Sequence, residues 1–130
     1  MSIASTYLQL EFHINNSVFR SNGTLIEYIG DAILAIWNAP MQMEDHACLA
    51  ICSTLLMQER LRSLRDEWNY TVYKSYEDEG KKVPDFQVRC GIHTDMSFVG
   101  NMGSPARMKY GVAGSTYAWC DEVGRTDGDI

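Results

Sequence analysis

Apolar positions near the start of the chain repeat with the period of a helix. Between about residues 5 and 20, the apolar residues of one helical face are Tyr7, Leu10, Ile14 and Val18. The pair Asn22-Gly23 follows, and a glycine there accepts the left-handed conformation that closes a helix. The pattern predicts a first helix with one face packed on a core.

Two short runs rich in Ile, Leu and aromatic residues come next, from Thr24 to Ile29 and from Ala32 to Trp37. Only Gly30-Asp31 separates them, and a two-residue link that begins with glycine is typical of a tight hairpin. The spacing therefore predicts two antiparallel strands with Asp31 at their tip, closed by Pro40.

A second helix is predicted from about Glu44 to Glu67 because apolar residues again recur at helical spacing. The predicted core face consists of Cys48, Ile51, Cys52, Leu55 and Leu56. From residue 68 to residue 84 the pattern dissolves into Lys, Glu, Asp, Gly and Tyr, which predicts a mobile surface loop.

The last third of the chain predicts another strand pair, Phe86 to Ile92 and Met96 to Val99. Residues 100 to 110 are interpreted as a connector, and residues 116 to 123 as a short helix. The order helix, strand, strand, helix, strand, strand is typical of an α+β domain with helices packed on one face of a sheet. We expect residues 1 to 130 to form a single domain.

The charge of the chain limits its partners. Eleven basic against seventeen acidic residues give a net charge of −6, which favours neither nucleic acid nor an anionic lipid surface. A phosphorylated substrate would therefore need a local arrangement such as a metal ion. No apolar run is long enough to cross a membrane and no signal peptide is visible, so we expect a cytoplasmic segment without membrane contact.

The four cysteines lack the spacing of a disulfide framework, which favours a reducing, intracellular location. Three of them lie in apolar patterns and are interpreted as small buried hydrophobic residues. His46, Cys48 and Cys52 could instead suggest zinc, but no second ligand cluster accompanies them, and packing is the favoured interpretation.

Several motifs together resemble the catalytic domain of class III adenylate and guanylate cyclases. The run from Gly23 to Pro40 is similar to the metal-binding hairpin of that family. Further matching segments are His46-Ala47, Met57 to Leu61, Gly91 to Thr94, Val99 to Ser104, Arg107-Met108, Tyr110, Gly114 and Thr116. The resemblance extends from about residue 7 to residue 124.

The resemblance implies a ferredoxin-like nucleotidyl cyclase fold with an antiparallel-rich sheet. Such domains work as head-to-tail dimers that convert ATP or GTP to a cyclic monophosphate and pyrophosphate. One protomer offers two aspartates for two Mg²⁺ or Mn²⁺ ions on the triphosphate. The other protomer supplies an Asn and an Arg, spaced four residues apart, that stabilise the transition state.

Asp31 matches the second metal aspartate, and a carboxylate on a hairpin tip suits a hard cation. The alternative is a turn aspartate that only caps the backbone. The first metal aspartate lies, in the family, on a strand before the first helix. Since this chain begins close to that helix, the resemblance implies an incomplete domain without its N-terminal strand. We expect the loss of that strand to leave unpaired sheet edges and an exposed apolar face.

The purine-reading position of the family falls on Glu27, where a carboxylate can accept hydrogen bonds from the N1 and amino groups of guanine. A strand glutamate that points to solvent is the alternative. Its partner position falls on Gly111, which offers no side-chain contact. Together with Gly30 of the hairpin tip, these residues form the predicted substrate-binding set, and they leave the choice between adenine and guanine open.

Ala118 and Glu122 stand at the Asn and Arg positions of the family. Alanine cannot donate a hydrogen bond, and glutamate adds negative charge where negative charge develops. Arg125 could take over only if the alignment shifted, and Gly114 and Thr116 argue against a shift. Asp95 is interpreted as a turn residue.

Two interpretations of the function follow from these substitutions. The chain is a piece of a cyclase that acts in intracellular signalling, inactive by itself. Alternatively, it is a non-enzymatic pseudo-cyclase module that pairs with another cyclase domain and modulates it. In either case the implied partners are a purine nucleoside triphosphate and a second cyclase domain, identical or different.

Overall fold

The computed structural model describes residues 3 to 68 and 87 to 115, with side chains from Leu8 onward. Its elements are α1 (Ile3–Arg20), β1 (Thr24–Ile29), β2 (Ala32–Ile36), α2 (His46–Trp68), β3 (Phe98–Ser104) and β4 (Arg107–Ala113). The two helices and the β1–β2 hairpin agree with the sequence prediction. The class is α+β with antiparallel strand pairing, as expected. The predicted helix over residues 116 to 123 lies outside the described residues.

The described strands form two separate hairpins that share no backbone hydrogen bonds. In the first, Ile29 pairs with Ala32 on either side of Gly30-Asp31, so the predicted tip is confirmed. In the second, β3 and β4 pair without interruption from Phe98 opposite Ala113 to Ser104 opposite Arg107. The hairpins approach each other where β1 comes close to β4.

The strand predicted from Phe86 to Ile92 is absent from residues 87 to 92, and the strand predicted from Met96 to Val99 begins only at Phe98, as part of β3. No strand occurs between residues 87 and 97, and the segment predicted as a connector, 100 to 110, forms most of the β3–β4 hairpin. A run of apolar residues becomes a strand only where a neighbour accepts and donates its hydrogen bonds. Within the described residues, no strand lies beside residues 87 to 92.

The core lies between α1 and α2. It is built from Leu10 of α1 and from Leu61, Leu64 and Trp68 of α2, with Ile14 and Val88 packed against them. The indole N–H of Trp68 also donates to Oε1 of Gln9 across the two helices, at 3.1 Å. The predicted core face of α1 is confirmed at Leu10, Ile14 and Val18.

Trp68 corrects the predicted loop over residues 68 to 84. This residue is the last of α2 and one of the two most completely buried side chains in the described part of the chain. Its ring anchors the end of the helix in the core, so the helix continues to the position where the loop was expected to begin. Residues 69 to 84 lie outside the described residues.

The predicted core face of α2 was also wrong. Cys48, Ile51, Cys52, Leu55 and Leu56 are all exposed. The buried stripe of the helix consists of Ala50, Ser53, Leu61, Leu64 and Trp68. The first residues of this stripe, Ala50 and Ser53, are small, and the large ones further along fill the core with Leu10 of α1. Since α2 carries apolar residues on two faces, its packing partner decides which face is buried.

The junction between α1 and the first hairpin is closed by a Schellman motif. The backbone N–H of Gly23 donates to the carbonyl of Val18 at 2.9 Å, and that of Asn22 donates to the carbonyl of Phe19 at 3.1 Å. The left-handed residue is Asn22, at φ 57°, rather than the predicted glycine. Asparagine tolerates this conformation because its short polar side chain can bond locally.

Gly23 is needed for a different reason, which is the close approach of Trp37. A Cβ atom at position 23 would lie 2.8 Å from the Trp37 ring and 2.8 Å from Cγ1 of Val18. The Trp37 indole N–H donates to the backbone carbonyl of Ser21 at 3.2 Å. The end of the hairpin opposite Asp31 is therefore held against the last turn of α1.

Alanine substitution of one leucine on each face of α2 tests which face is packed in the core. Leu64→Ala should lower the free energy of unfolding by about 2–5 kcal/mol, because it opens a cavity in the helix–helix core. Leu55→Ala, on the opposite face, should change it by less than about 0.5 kcal/mol. Leu64 is 2% exposed and Leu55 is 64% exposed. Urea titration of both variants measures the difference, and equal losses would contradict the assignment of the faces.

Substitution of Gly23 tests the junction between α1 and the β1–β2 hairpin. Gly23→Ala should cost about 1–3 kcal/mol in urea or thermal unfolding, because the new methyl group overlaps the Trp37 ring. Gly111→Ala is the matched control, since its Cβ would meet only the Sδ atom of Met102 at an ordinary 3.5 Å. If the two variants melt alike, the contact of Trp37 with Gly23 does not constrain the hairpin.

The stability of the folded chain is expected to decrease at acidic pH because of His13. The pKa of His13 lies below its ordinary value of 6.5, first because of burial and second because of the Arg60 charge, partly offset by Glu67. Below pH 6.5 the unfolded chain therefore takes up a proton at His13 that the folded chain resists, and stability falls as the pH drops towards the folded-state pKa. Urea titrations at pH 7.5 and pH 5.5 should show a smaller loss for His13→Gln than for the wild type. An identical loss in both proteins would exclude His13 as a contributor.

Candidate functional site

Asp31 lies at the tip of the β1–β2 hairpin, and its side chain is exposed. Gly30 before it has φ 62°, and a positive φ at the first of two turn residues is the pattern of a type II′ turn. None of the side-chain hydrogen bonds within residues 3–68 and 87–115 involves Asp31, so its carboxylate does not cap this turn. It is free to accept a ligand from solvent.

One carboxylate is a minimal metal site. No group of three or more His, Cys, Asp or Glu side chains in the described parts of the chain could hold a metal ion. The oxygen atoms of Asp31 suit Mg²⁺ or Mn²⁺ chemically, but these ions keep several ligands besides one carboxylate. The remaining ligands would have to come from outside the described residues, for example from a bound phosphate or water.

Glu27 lies on β1 next to a break in the strand register. Leu25 pairs with Ala35 and Glu27 pairs with Leu34, so β1 carries one extra residue at this point. Such a bulge re-aims the side chains that follow it. The Glu27 carboxylate points across to β4, where its Oε1 atom lies 2.7 Å from Nζ of Lys109. The alternative interpretation, a strand glutamate that points to solvent, does not describe this contact.

Lys109 is the residue that the sequence analysis missed. Its ion pair with Glu27 joins the two hairpins, and both side chains stay partly exposed, 59% for Lys109 and 42% for Glu27. The sequence could have indicated Lys109 through its position two residues before Gly111. In a strand, residues two apart point to the same face, so a lysine there lies beside the predicted purine-reading position.

Gly111 is buried on β4 opposite Gly100 of β3. The pair of glycines leaves the sheet without side chains at this register position, next to the ion pair. The structure thus brings Glu27, Gly111 and the unpredicted Lys109 to neighbouring strands, with Gly30 and Asp31 at the end of the same hairpin as Glu27. Ala118, Glu122 and Arg125 lie outside the described residues.

Other polar residues singled out in the sequence have local roles. Asp95 accepts a hydrogen bond from the backbone N–H of Met96 at 2.7 Å and one from the Ser115 hydroxyl at 3.5 Å. These contacts give Asp95 a local structural role, but no turn is present at this position. His93 lies 3.9 Å from the same carboxylate, in a segment that is not a strand.

The cysteines differ from the prediction of small buried residues. Cys48 and Cys52 are exposed on α2, and Cys90 is half-buried. Burial raises the pKa of the Cys90 thiol, and the Gln58 side-chain amide, which donates to Sγ at 3.7 Å, partly offsets that rise. Among the described helices, none is long and apolar enough to cross a membrane.

The sequence matches part of a known protein. Over 116 residues it is 30% identical to Adenylate cyclase 1 of Rhizobium meliloti strain 1021, and the match covers 89% of this chain. The chain spans 16% of the length of that relative. No protein-family model matches the sequence.

Solved structures share the fold. The adenylyl cyclase CyaB from P. aeruginosa superposes with a TM-score of 0.78 at 20% identity, over 95% of this chain and 60% of that one. The guanylyl cyclase Cya2 superposes with a TM-score of 0.73 at 24% identity, over 96% of this chain and 60% of that one. At these identities the likeness is one of fold.

The sequence match and the two fold matches agree with the resemblance carried by the hairpin around Asp31. The sequence match is to an adenylate cyclase, and the two fold matches are to an adenylyl cyclase and a guanylyl cyclase. The chain therefore belongs to the class III nucleotidyl cyclase domains and has their fold.

Proposed function

We propose that the protein to which this chain belongs converts a purine nucleoside triphosphate to its cyclic monophosphate and pyrophosphate. The observation that carries the proposal is the exposed carboxylate of Asp31 on a two-residue hairpin tip, within a chain of cyclase fold. A cytoplasmic location and a role in intracellular signalling are part of the same proposal.

In this proposal Asp31 holds Mg²⁺ or Mn²⁺ against the triphosphate. The bound cation supplies charge stabilisation at the phosphate and activation of the attacking hydroxyl. Asp31 itself contributes a hard oxygen ligand whose position is set by the turn. Gly30, which carries no side chain, leaves the phosphate groups free to approach the tip. Glu27 and the strand around Gly111 take the purine.

By itself the chain should not complete the reaction. Ala118 and Glu122 occupy the positions at which the family carries the Asn and Arg of the transition state. A carboxylate at the second position opposes the negative charge that develops on the phosphate, and the loss of one well-placed donor alone costs about 10²–10³ in rate. A different cyclase domain would have to supply both groups, because a second copy of this chain carries the same Ala118 and Glu122.

The second candidate function is a pseudo-cyclase module that pairs with an active cyclase domain and modulates it. The same two substitutions favour it, because Ala118 and Glu122 remove both stabilising groups while the hairpin of Asp31 is kept. In this case the bound nucleotide acts as an effector, and the partner domain carries out the chemistry.

Binding of a ribose-labelled fluorescent GTP or ATP in the presence of Mn²⁺ tests the site. We expect the wild-type chain to bind and Asp31→Asn to bind at least about tenfold more weakly, because a charge-assisted metal contact is lost. Asp66→Asn is the matched control, an exposed carboxylate on α2 far along the chain from the hairpin. Equal affinities for the two variants would overturn the assignment of Asp31.

The same samples test turnover. The isolated chain should form no cyclic AMP or cyclic GMP above the level of Asp31→Asn. Addition of an intact cyclase domain decides between the two functions: the chain either completes an active site with it or alters its rate without contributing Asp31. Cyclic product from the isolated wild-type chain, absent from Asp31→Asn, would show that Ala118 and Glu122 do not prevent catalysis.

A further inference from the structure

The contact between Glu27 and Lys109 is the only ion pair in the described residues that joins the two hairpins. Its Nζ–Oε1 distance is 2.7 Å, although the two residues are 82 positions apart in the chain. An exposed ion pair of this kind contributes little to stability, because water screens it and two flexible side chains must be ordered. Because stability does not explain the pair, its position beside the predicted purine site indicates a role in ligand binding.

The pair presents an unusual set of hydrogen-bonding groups to a ligand. An ammonium group offers donors only, and a carboxylate offers acceptors only. Lys109 engages one carboxylate oxygen of Glu27, and both side chains remain reachable from solvent. The neighbouring Gly111 adds no side chain that would cover them. The edge of a planar ligand bound beside this pair would face one donor, the Lys109 ammonium group, and two acceptors, the Glu27 carboxylate oxygens.

We propose that Lys109 is a specificity-determining residue that acts with Glu27 to select guanine over adenine, an inference that rests on the proposed nucleotide function. The guanine edge presents one acceptor, O6, beside two donors, the N1–H and the amino group. This order complements an ammonium group next to a carboxylate. Every polar group on the edge of the base can then be paired.

Adenine fits the same pair less completely. Its edge presents one donor, the N6 amino group, and one acceptor, N1, and it has no third polar group. One carboxylate oxygen would be left without a donor from the base. The difference is one hydrogen bond to a charged group, which corresponds to a preference for guanine of about tenfold.

Nucleotide binding to the full chain tests this assignment. Ribose-labelled GTP and ATP are titrated with Mn²⁺ into the wild type, Lys109→Met, Lys109→Arg and Arg62→Met, with thermal unfolding of each protein recorded in parallel. Arg62 is the matched control, since it is an exposed cation paired with Glu59 at 2.9 Å on α2. We expect the wild type to bind GTP about tenfold more tightly than ATP, Lys109→Met to lose that preference, and Lys109→Arg and Arg62→Met to keep it.

The outcomes separate the inference from the proposed function. If the wild type binds neither nucleotide, the proposed function fails, and the inference fails with it. If the wild type binds both nucleotides and Lys109→Met keeps the wild-type ratio, the proposed function stands and the role of Lys109 is overturned. If Lys109→Met weakens the binding of GTP and ATP equally and lowers the melting temperature, the ion pair only links the two hairpins. Lys109 then has no role in base selection, and the inference is overturned.

Discussion

The direction of the hairpin that carries Asp31 depends on the contact between Trp37 and Gly23 at its other end. The ring of Trp37 occupies the space that any side chain at position 23 would need, and its indole N–H donates to the carbonyl of Ser21. The hydroxyl of Thr24 donates to the carbonyl of Ala39 at 2.7 Å and ties the two open ends of the hairpin together. A hairpin held at its base by α1 presents its tip in one direction, as the proposed metal site at Asp31 would require.

The helical layer that supports this hairpin uses few large side chains. Four buried residues of α1 and α2, completed by Ile14 and Val88, make up the core cluster, and the Gln58 side-chain amide donates to the carbonyl of Val88 at 2.7 Å. The opposite face of α2 keeps Ile51, Leu55 and Leu56 exposed. The helix pair is therefore stabilised from one side only, which is why the substitution of a leucine on one face and not on the other should affect unfolding.

The electrostatics of the site differ from those of the chain as a whole. The net charge of −6 disfavours anionic ligands in general. At the junction of the hairpins, however, the positive charge of Lys109 balances the charge of Glu27, and Asp31 is left as the free carboxylate of the hairpin. A triphosphate bound here would depend on a cation at Asp31, while the base would meet a locally neutral pair. In the proposed site, metal binding by Asp31 and base selection by Glu27 and Lys109 would therefore fall to different residues.

Patterns that act over a few residues were enough to predict α1, α2 and the hairpin with Asp31 at its tip: helical periodicity, a Gly-Asp turn and a helix-closing Asn-Gly pair. The cyclase resemblance also depended on local motifs. The folded chain was needed to show which apolar face of α2 is buried, that β3 and β4 pair around residues 105 and 106, and that Lys109 reaches Glu27. The buried helix face depends on α1 and the ion pair of Lys109 depends on β1, and both neighbours are distant in the chain, whereas β4 follows β3 after only two residues. Short-range patterns carry no record of such neighbours.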